Sequence, residues 1–257
     1  MKQAKFEILG EINALLPTNK RGTGFIYTFQ GEQSVKHLIE SLGIPHTEVG
    51  QIQANGHQID FRYIVQDNDR ITVLPISFNN RPPVENNLVP EAQQDRFVLD
   101  NHLGRLAFYL RMLGFDCLYR NDYQDELLAH VSHQQGRILL TRDRRLLMRN
   151  SVIYGYLVRS KMPRQQLVEV LRRYDLYDRI APFRRCMRCN GLLQEVRKDE
   201  VFDRLQPLTR KYFDDFRICP QCGQIYWKGS HYERMMQIIG QVAQPQTDQV
   251  KSQSKPQ

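Results

Sequence analysis

The chain has 257 residues, of which 41% are hydrophobic and 25% charged, and these proportions exclude a disordered chain. No apolar run reaches the roughly 18 residues of a membrane span, and residues 1–10 lack the apolar core of a secretory signal, so we expect a cytoplasmic protein. The net charge of +8 is uneven, since residues 1–90 hold 8 Lys and Arg against 9 Asp and Glu, whereas residues 91–257 hold 28 against 19. Such a basic excess is typical of a solvated surface or of a protein with a polyanionic partner such as nucleic acid.

The first 80 residues are predicted to form one small domain. Two strand-like runs precede a single helix and two more follow it, at residues 4–9, 25–29, 34–42, 52–54 and 70–74. Ser34 is a good N-cap for the helix, and Gly43 with the following Pro45 ends it. Two strands, a helix and further strands are the order of a β-grasp domain, which we predict over residues 1–80.

Residues 81–95 form the predicted linker. Asn, Pro, Glu and Gln dominate this segment, which has little apolar surface to bury. Because such a linker offers no apolar face to either side, we expect the domains before and after it to fold independently.

From residue 96 onward, apolar strands alternate with amphipathic helices. The predicted order is strand 97–99, helix 103–113, strand 117–119, helix 125–135, strand 137–141, strand 152–158 and helix 163–174. This alternation predicts a parallel sheet covered on both faces. We assign residues 96–180 to this α/β domain, residues 181–240 to a cysteine-containing module packed on it, and residues 241–257 to a disordered tail.

Three aspartates occupy positions that suggest a metal site. Asp100 directly follows the first strand of the α/β domain and Asp143 follows the third by two residues, so both can face the crevice at the carboxyl ends of the strands. Asp125 opens the helix between them. Clustered carboxylates repel one another unless a cation neutralises them, and hard oxygen ligands suit Mg²⁺ or Mn²⁺, which can activate water for attack on a phosphodiester. Plainer roles stay open, with Asp125 as a helix N-cap and Asp143 as a turn residue.

Four of the five cysteines form two Cys-x-x-Cys pairs, Cys186 with Cys189 and Cys219 with Cys222, which 29 residues separate. In a chain without a signal peptide this pattern favours a metal over disulfides, and two such pairs make a closed, structural Cys₄ zinc site. The nearby basic and aromatic residues offer an RNA-binding surface, although packing against the α/β domain is the interpretation that we favour for the aromatic side chains. Cys117 lies in an apolar strand and is predicted to be a buried small hydrophobe.

Segments 100–116, 121–128 and 137–147 resemble, in the same order, motifs of the Mut-seven C-terminal RNase family, a branch of the PIN-like nucleases. Residues 1–80 resemble the ubiquitin-like domain that often precedes this RNase domain, most clearly over residues 65–75. The resemblance implies a PIN-like α/β fold and metal-dependent cleavage of RNA, with Asp100, Asp125 and Asp143 as the acidic site. It leaves Glu126 and Asp122 as alternatives to Asp125.

The same resemblance suggests which residues contact the substrate. Arg105, Arg111 and Arg142 lie within the motifs and are predicted phosphate contacts, with surface solubility as the alternative. His231 matches the end of the family pattern and is a further candidate. Many PIN-like nucleases carry another acid directly after the third, where this chain has arginines, so a non-catalytic RNA- or protein-binding adaptor is the competing hypothesis. The β-grasp domain is expected to dock RNA or a protein partner.

Overall fold

The computed structural model describes residues 1–76, 88 and 95–242. Most of the predicted linker and residues 243–257 of the predicted tail lie outside the described residues, so the domain boundaries stay predictions. None of the helices in the described ranges has the length and apolarity needed to cross a bilayer.

The N-terminal domain contains a mixed five-stranded sheet. Its strands are β1 Lys2–Ile8, β2 Phe25–Phe29, β3 Val49–Ala54, β4 His57–Ile59 and β5 Arg70–Pro75, with helix α1 Val35–Ser41 between β2 and β3. The strand order is β2-β1-β5-β3-β4, in which β1 and β5 run parallel and the other neighbours antiparallel. Ser34 caps α1, as predicted, by accepting a hydrogen bond from the His37 N–H. This sheet fits the predicted β-grasp domain, to which β4 adds one strand that we did not predict.

The second sheet consists of four parallel strands. These are β6 Arg96–Leu99, β7 Asp116–Tyr119, β8 Ile138–Thr141 and β9 Gly155–Leu157, in the order β7-β6-β8-β9. The helices between and after them are α2 Gly104–Met112, α3 Asp125–Gln135, α4 Arg144–Leu147 and α5 Pro163–Arg173. The parallel α/β prediction is confirmed, and only the single turn of α4 was absent from it.

Alternate residues of this sheet enter two different cores. Phe97 and Leu99 of β6 are buried with the apolar faces of α2 and α5. Val98, between them, and Leu139 of β8 are buried instead with residues of α3 and with the interior of the β-grasp domain, in one continuous cluster. The β-grasp domain therefore covers one face of the parallel sheet. This shared core argues against our expectation that the two domains fold independently, because the composition of a linker carries no information about which faces its neighbours bury.

A buried carboxylate lies in this interdomain interface. The Glu48 side chain is fully buried; it accepts a hydrogen bond from the Leu157 N–H at 2.7 Å and lies 3.0 Å from an Arg159 nitrogen and 3.9 Å from an Arg173 nitrogen. Arg173 also contacts Glu11 of the β-grasp domain at 2.9 Å. Burial raises the pKa of Glu48, and the two arginines oppose that rise. Leu157, Arg159 and Arg173, which contact the Glu48 side chain, all come from the α/β domain.

The cysteine-containing module follows α5. It has an antiparallel sheet in the order β10-β11-β12, made of β10 Gln194–Val196, β11 Phe216–Ile218 and β12 Ile225–Trp227. Its helices are α6 Lys198–Val201, α7 Pro207–Tyr212 and α8 Ser230–Val242, the last of which includes the first two residues of the predicted tail. Short 3-10 helices lie at Gly10–Leu15, Thr18–Lys20, His46–Glu48, Asn101–Leu103, Tyr177–Arg179 and Phe202–Arg204. Ile239 of α8 is buried in the core of the α/β domain, which ties the module to it.

We predict that Glu48→Ala lowers the free energy of unfolding by about 3 kcal/mol, the low end for breaking a buried ion pair, because Arg173 keeps Glu11 as a partner. Urea denaturation followed by circular dichroism measures the change. Glu7→Ala, which removes an exposed carboxylate from β1, is the control and should cost at most about 0.5 kcal/mol. Equal stability of the two variants would show that the buried network does not hold the domains together.

Candidate active site and metal-binding cysteines

The parallel sheet has a topological switch point between β6 and β8. The chain leaves β6 through α2 for β7 on one side, and then crosses through α3 to β8 on the other side. Connections that diverge in this way open a crevice at the carboxyl ends of the two strands, which is where open α/β sheets bind ligands. Asp100 follows β6 and Asp143 lies two residues beyond β8, so both predicted acids lie at this edge.

A threonine connects these two aspartates. Thr141, the last residue of β8, is fully buried, and its hydroxyl donates to Asp100 Oδ2 at 2.7 Å while accepting the Asp143 N–H at 2.9 Å. Asp100 is itself only 6% exposed, whereas Asp143 is exposed. Asp143 Oδ1 accepts the Arg145 N–H at 2.7 Å and so caps α4. The hydrogen bonds of Thr141 fix the orientation of Asp100 and the start of the segment that carries Asp143.

The third predicted acid, Asp125, is half-buried at the first position of α3. The N-cap there is Gln124, so the alternative of Asp125 as an N-cap does not apply. The two alternatives to Asp125 are exposed and form ion pairs at the surface, Glu126 with Arg149 at 2.8 Å and Asp122 with Arg120 at 2.7 Å.

The three aspartates do not form a compact group of ligand atoms. In the described part of the chain, the cysteines form the only group of three or more His, Cys, Asp or Glu residues whose ligand atoms all lie within 4.8 Å of one another. The three aspartates are therefore spread more widely than the direct ligands of one small cation would be.

Two neighbours of Asp100 shape this edge of the sheet. The Asn101 side-chain oxygen is buried and has no hydrogen-bond partner among the described residues, which fits an acceptor held ready for a cation or a water molecule. The Tyr119 hydroxyl donates to the Asn101 backbone oxygen at 2.9 Å. A Cβ atom on Gly104 would lie 2.6 Å from that hydroxyl, so the glycine of the first family motif leaves the space that Tyr119 needs.

The predicted phosphate contacts differ in their availability. Arg105 and Arg142 are exposed, and the Arg105 guanidinium lies 5.4 Å from the centre of the Phe108 ring. His231 is exposed at the second position of α8. These three side chains face solvent, as residues that bind a substrate must.

Arg111, the fourth predicted contact, is only 5% exposed. It donates to backbone oxygens of Cys117 at 2.9 Å, Met187 at 3.3 Å and Arg188 at 3.0 Å. The prediction that Arg111 binds substrate is wrong, because its N–H groups already donate to carbonyl groups of β7 and of the cysteine module. Arg111 thereby joins the two. The sequence offered no signal for this role, since the acceptors in the cysteine module, the backbone oxygens of Met187 and Arg188, lie more than 70 residues away.

The four cysteines of the two pairs converge. The Cys186 and Cys222 sulfurs are 3.6 Å apart, and those of Cys189 and Cys219 are 3.4 Å apart. Four sulfurs about 2.3 Å from one tetrahedral ion lie about 3.8 Å from each other, so these residues could hold a metal such as zinc. The Tyr226 hydroxyl lies 3.1 Å from the Cys186 sulfur.

Asp116 is a residue that our sequence analysis missed. Its carboxylate accepts hydrogen bonds from Arg137 at 2.8 Å, Asn190 at 2.8 Å and Arg185 at 3.3 Å. Burial would raise the pKa of Asp116, but the hydrogen bonds from Arg137 and Asn190 hold it below its ordinary value. Asp116 thus anchors the loop around the first cysteine pair to the parallel sheet. The sequence around Asp116 has no pattern that predicts this role.

Cys117 behaves as predicted. It is fully buried, and burial raises the pKa of its thiol to about 12, so the thiol stays protonated at neutral pH. Its backbone N–H donates to the Asn190 side chain at 2.9 Å. Cys117 contributes to packing and to the join with the cysteine module.

Comparison with known families accounts for most of the chain. The family model described as the Mut7-C RNAse domain matches residues 95–239, more than half of the chain, and the one described as Mut7-C ubiquitin matches residues 1–81. No curated protein matches the chain. No solved structure matches it either. The resemblance inferred from the motifs is confirmed.

We predict that the purified protein carries about one tightly bound metal ion per chain and that Cys219→Ser loses it, because a closed site needs all four thiolates. Elemental analysis by mass spectrometry measures the metal. Cys117→Ala, which changes a cysteine outside the cluster, should keep the ion. Protein purified without stoichiometric metal, or with disulfides among the four cysteines, would contradict the prediction.

Proposed function

Because this chain belongs to the Mut7-C RNAse domain family and carries that family's ubiquitin-like region at its N-terminus, we propose that it is a metal-dependent ribonuclease that hydrolyses RNA phosphodiester bonds. The observation that carries the proposal is the pair of aspartates at the switch point, Asp100 and Asp143, joined through the Thr141 hydroxyl. The basic charge of residues 91–257 supports a polyanionic substrate.

In this proposal Asp100, Asp125 and Asp143 hold Mg²⁺ or Mn²⁺. A divalent ion would lower the pKa of a bound water molecule, which makes it a better nucleophile, and would stabilise negative charge on the phosphate. Asp100 contributes a fixed ligand, since its burial and the bond from Thr141 leave it little rotational freedom. Asp143 contributes an exposed carboxylate on a capped turn, and the unpartnered oxygen of Asn101 offers a further neutral ligand.

The exposed cations serve the substrate. We propose that Arg105 and Arg142 contact phosphates next to the bond that is cut, because guanidinium groups bind phosphate oxygens through paired hydrogen bonds. His231 is a third candidate, at the start of α8. These contacts would orient the RNA backbone against the acids and hold it there while the bond breaks.

For Cys186, Cys189, Cys219 and Cys222 we propose zinc in a structural role. Four thiolates fill a tetrahedral shell and leave no position for a substrate or water. The bound ion would fold the small antiparallel sheet into a zinc ribbon. Among the described residues, the buried part of its own apolar core consists of Val201, Leu205, Phe216 and Ile225.

A second function, that of a non-catalytic RNA-binding adaptor, is favoured by two observations. The described acids do not form a cluster as tight as the cysteines, and Arg144 and Arg145 follow Asp143 where a further acid is common. Cleavage of single-stranded RNA that requires Mn²⁺ and stops with EDTA supports the enzyme. Binding of the same RNA without cleavage supports the adaptor.

We predict that Asp143→Asn reduces RNA cleavage on the order of a hundredfold or more, because the ion loses a charged ligand at the site of developing negative charge. Folding should be preserved, since Asn caps a helix as well as Asp does. Single-turnover cleavage of a labelled RNA in Mn²⁺ measures activity, and thermal denaturation measures stability.

Asp122→Asn and Glu126→Gln are the controls for this prediction. Each removes one negative charge from an exposed side chain that pairs with an arginine, and each should leave cleavage unchanged. Loss of activity in Glu126→Gln with full activity in Asp143→Asn would mean that the acidic site has different ligands.

A further inference from the structure

The segment that carries Asp143 lies against the β-grasp domain. Leu146 and Leu147 of α4 are fully buried in the core that the two domains share. An isolated helical turn of four residues is not stable by itself, so the position of α4 depends on what packs against it. Helix α4 contacts β8 and β9 of its own domain, and its two leucines belong to a core that includes the interior of the β-grasp domain.

Arg144 adds a directed link across the same interface. Its Nη1 donates to the backbone oxygens of Leu15 at 2.9 Å and of Gly43 at 3.2 Å, both in the β-grasp domain. A Cβ atom at position 43 would lie 2.7 Å from that nitrogen, and the φ of Gly43 is +87°, which side chains rarely adopt. Glycine at this position allows both the end of α1 and the close approach of Arg144.

The link continues from Arg144 to the acids. Asp143 precedes Arg144 directly, its carboxylate caps the turn through the Arg145 N–H, and its own N–H is held by Thr141. Thr141 in turn donates to Asp100. Two carbonyl groups of the β-grasp domain therefore hold Arg144, the backbone joins Arg144 to Asp143, and hydrogen bonds of Thr141 join Asp143 to Asp100.

We propose that Arg144 is a positioning residue through which the β-grasp domain fixes Asp143, so that this domain is a built-in part of the acidic site. The expected effect on catalysis rests on the proposed function. The coupling of the two domains at Asp143 is a structural statement and does not depend on it. It also gives a reason for arginine at position 144, where a second acid would have no partner among the carbonyls of Leu15 and Gly43.

The test compares full-length Arg144→Ala with Arg164→Ala, which removes the same charge from an exposed position on α5, on the other face of the sheet. We expect Arg144→Ala to lower kcat about tenfold or more with KM changed less than about twofold, since misplacing a catalytic group affects the reaction more than binding. Arg164→Ala should match the wild type. Arg144→Lys, which keeps the charge and can reach one carbonyl, should recover part of the lost kcat.

A variant on the other side of the interface tests the same link. Gly43→Ala should lower kcat in the wild-type background, because its Cβ displaces Arg144. In the Arg144→Ala background the same substitution should lower kcat little further, since the displaced group is already gone. Additive effects of the two substitutions on kcat would overturn the proposed route through Arg144.

Hydrogen exchange separates this proposal from the proposed function. In Arg144→Ala the Arg145 amide, which is bonded to Asp143, should exchange at least about tenfold faster, while the amides of β6 exchange as in the wild type. This readout needs no cleavage. Unchanged exchange at Arg145 overturns the coupling even if the protein cuts RNA, and faster exchange in a protein that never cuts RNA supports the coupling and contradicts the nuclease.

Discussion

A four-stranded parallel sheet has two apolar faces, and the arrangement of this protein follows from the need to bury both. Helices α2 and α5 cover the face that contains Phe97 and Leu99. On the other face, residues of α3 and α4 share a core with the interior of the β-grasp domain around Val98 and Leu139. Parallel strands exposed to water on one side are rare, so the β-grasp domain is as necessary to this sheet as a covering helix would be.

Burial of both faces leaves the carboxyl edge of the sheet as the place where polar groups can gather. The acids at this edge gain their positions from that burial: Thr141 is fully enclosed and bonds Asp100, while the turn after it is held between the two domains. The same logic explains Glu48, a carboxylate that is buried because the interface must close around it, with Arg159 and Arg173 brought from the other side. The acidic site and the interdomain interface therefore both depend on how the two domains pack.

Periodicity in the sequence predicted the strands and helices of the β-grasp and α/β domains except β4 and α4, and the ends of strands predicted where Asp100 and Asp143 would lie. It predicted no strand or helix of the cysteine-containing module. The cysteine spacing predicted their convergence. Each of these features depends on residues close together in the chain or on a general rule of sheet geometry. Motif resemblance added the family, which two family matches confirm.

What the sequence did not predict depends on contacts between distant segments. Arg111 was expected at the surface, yet backbone oxygens from the cysteine module enclose it. The roles of Asp116, Glu48 and Arg144 rest on partners from other elements, and an exposed charge has the same pattern in the sequence as a buried one. Whether a charged residue is solvated or buried depends on which surfaces of distant segments pack together. A local sequence pattern does not predict that packing.

We propose that the edge between β6 and β8 holds a divalent cation for RNA cleavage. Diffraction data collected at the manganese absorption edge from Mn²⁺-soaked crystals test this proposal directly. We expect an anomalous peak about 2.0–2.6 Å from carboxylate oxygens of Asp100 and Asp143, or one water further away, and distinct from the cysteine cluster. A protein that cleaves RNA in Mn²⁺ while its only manganese peaks lie away from these two aspartates would contradict it.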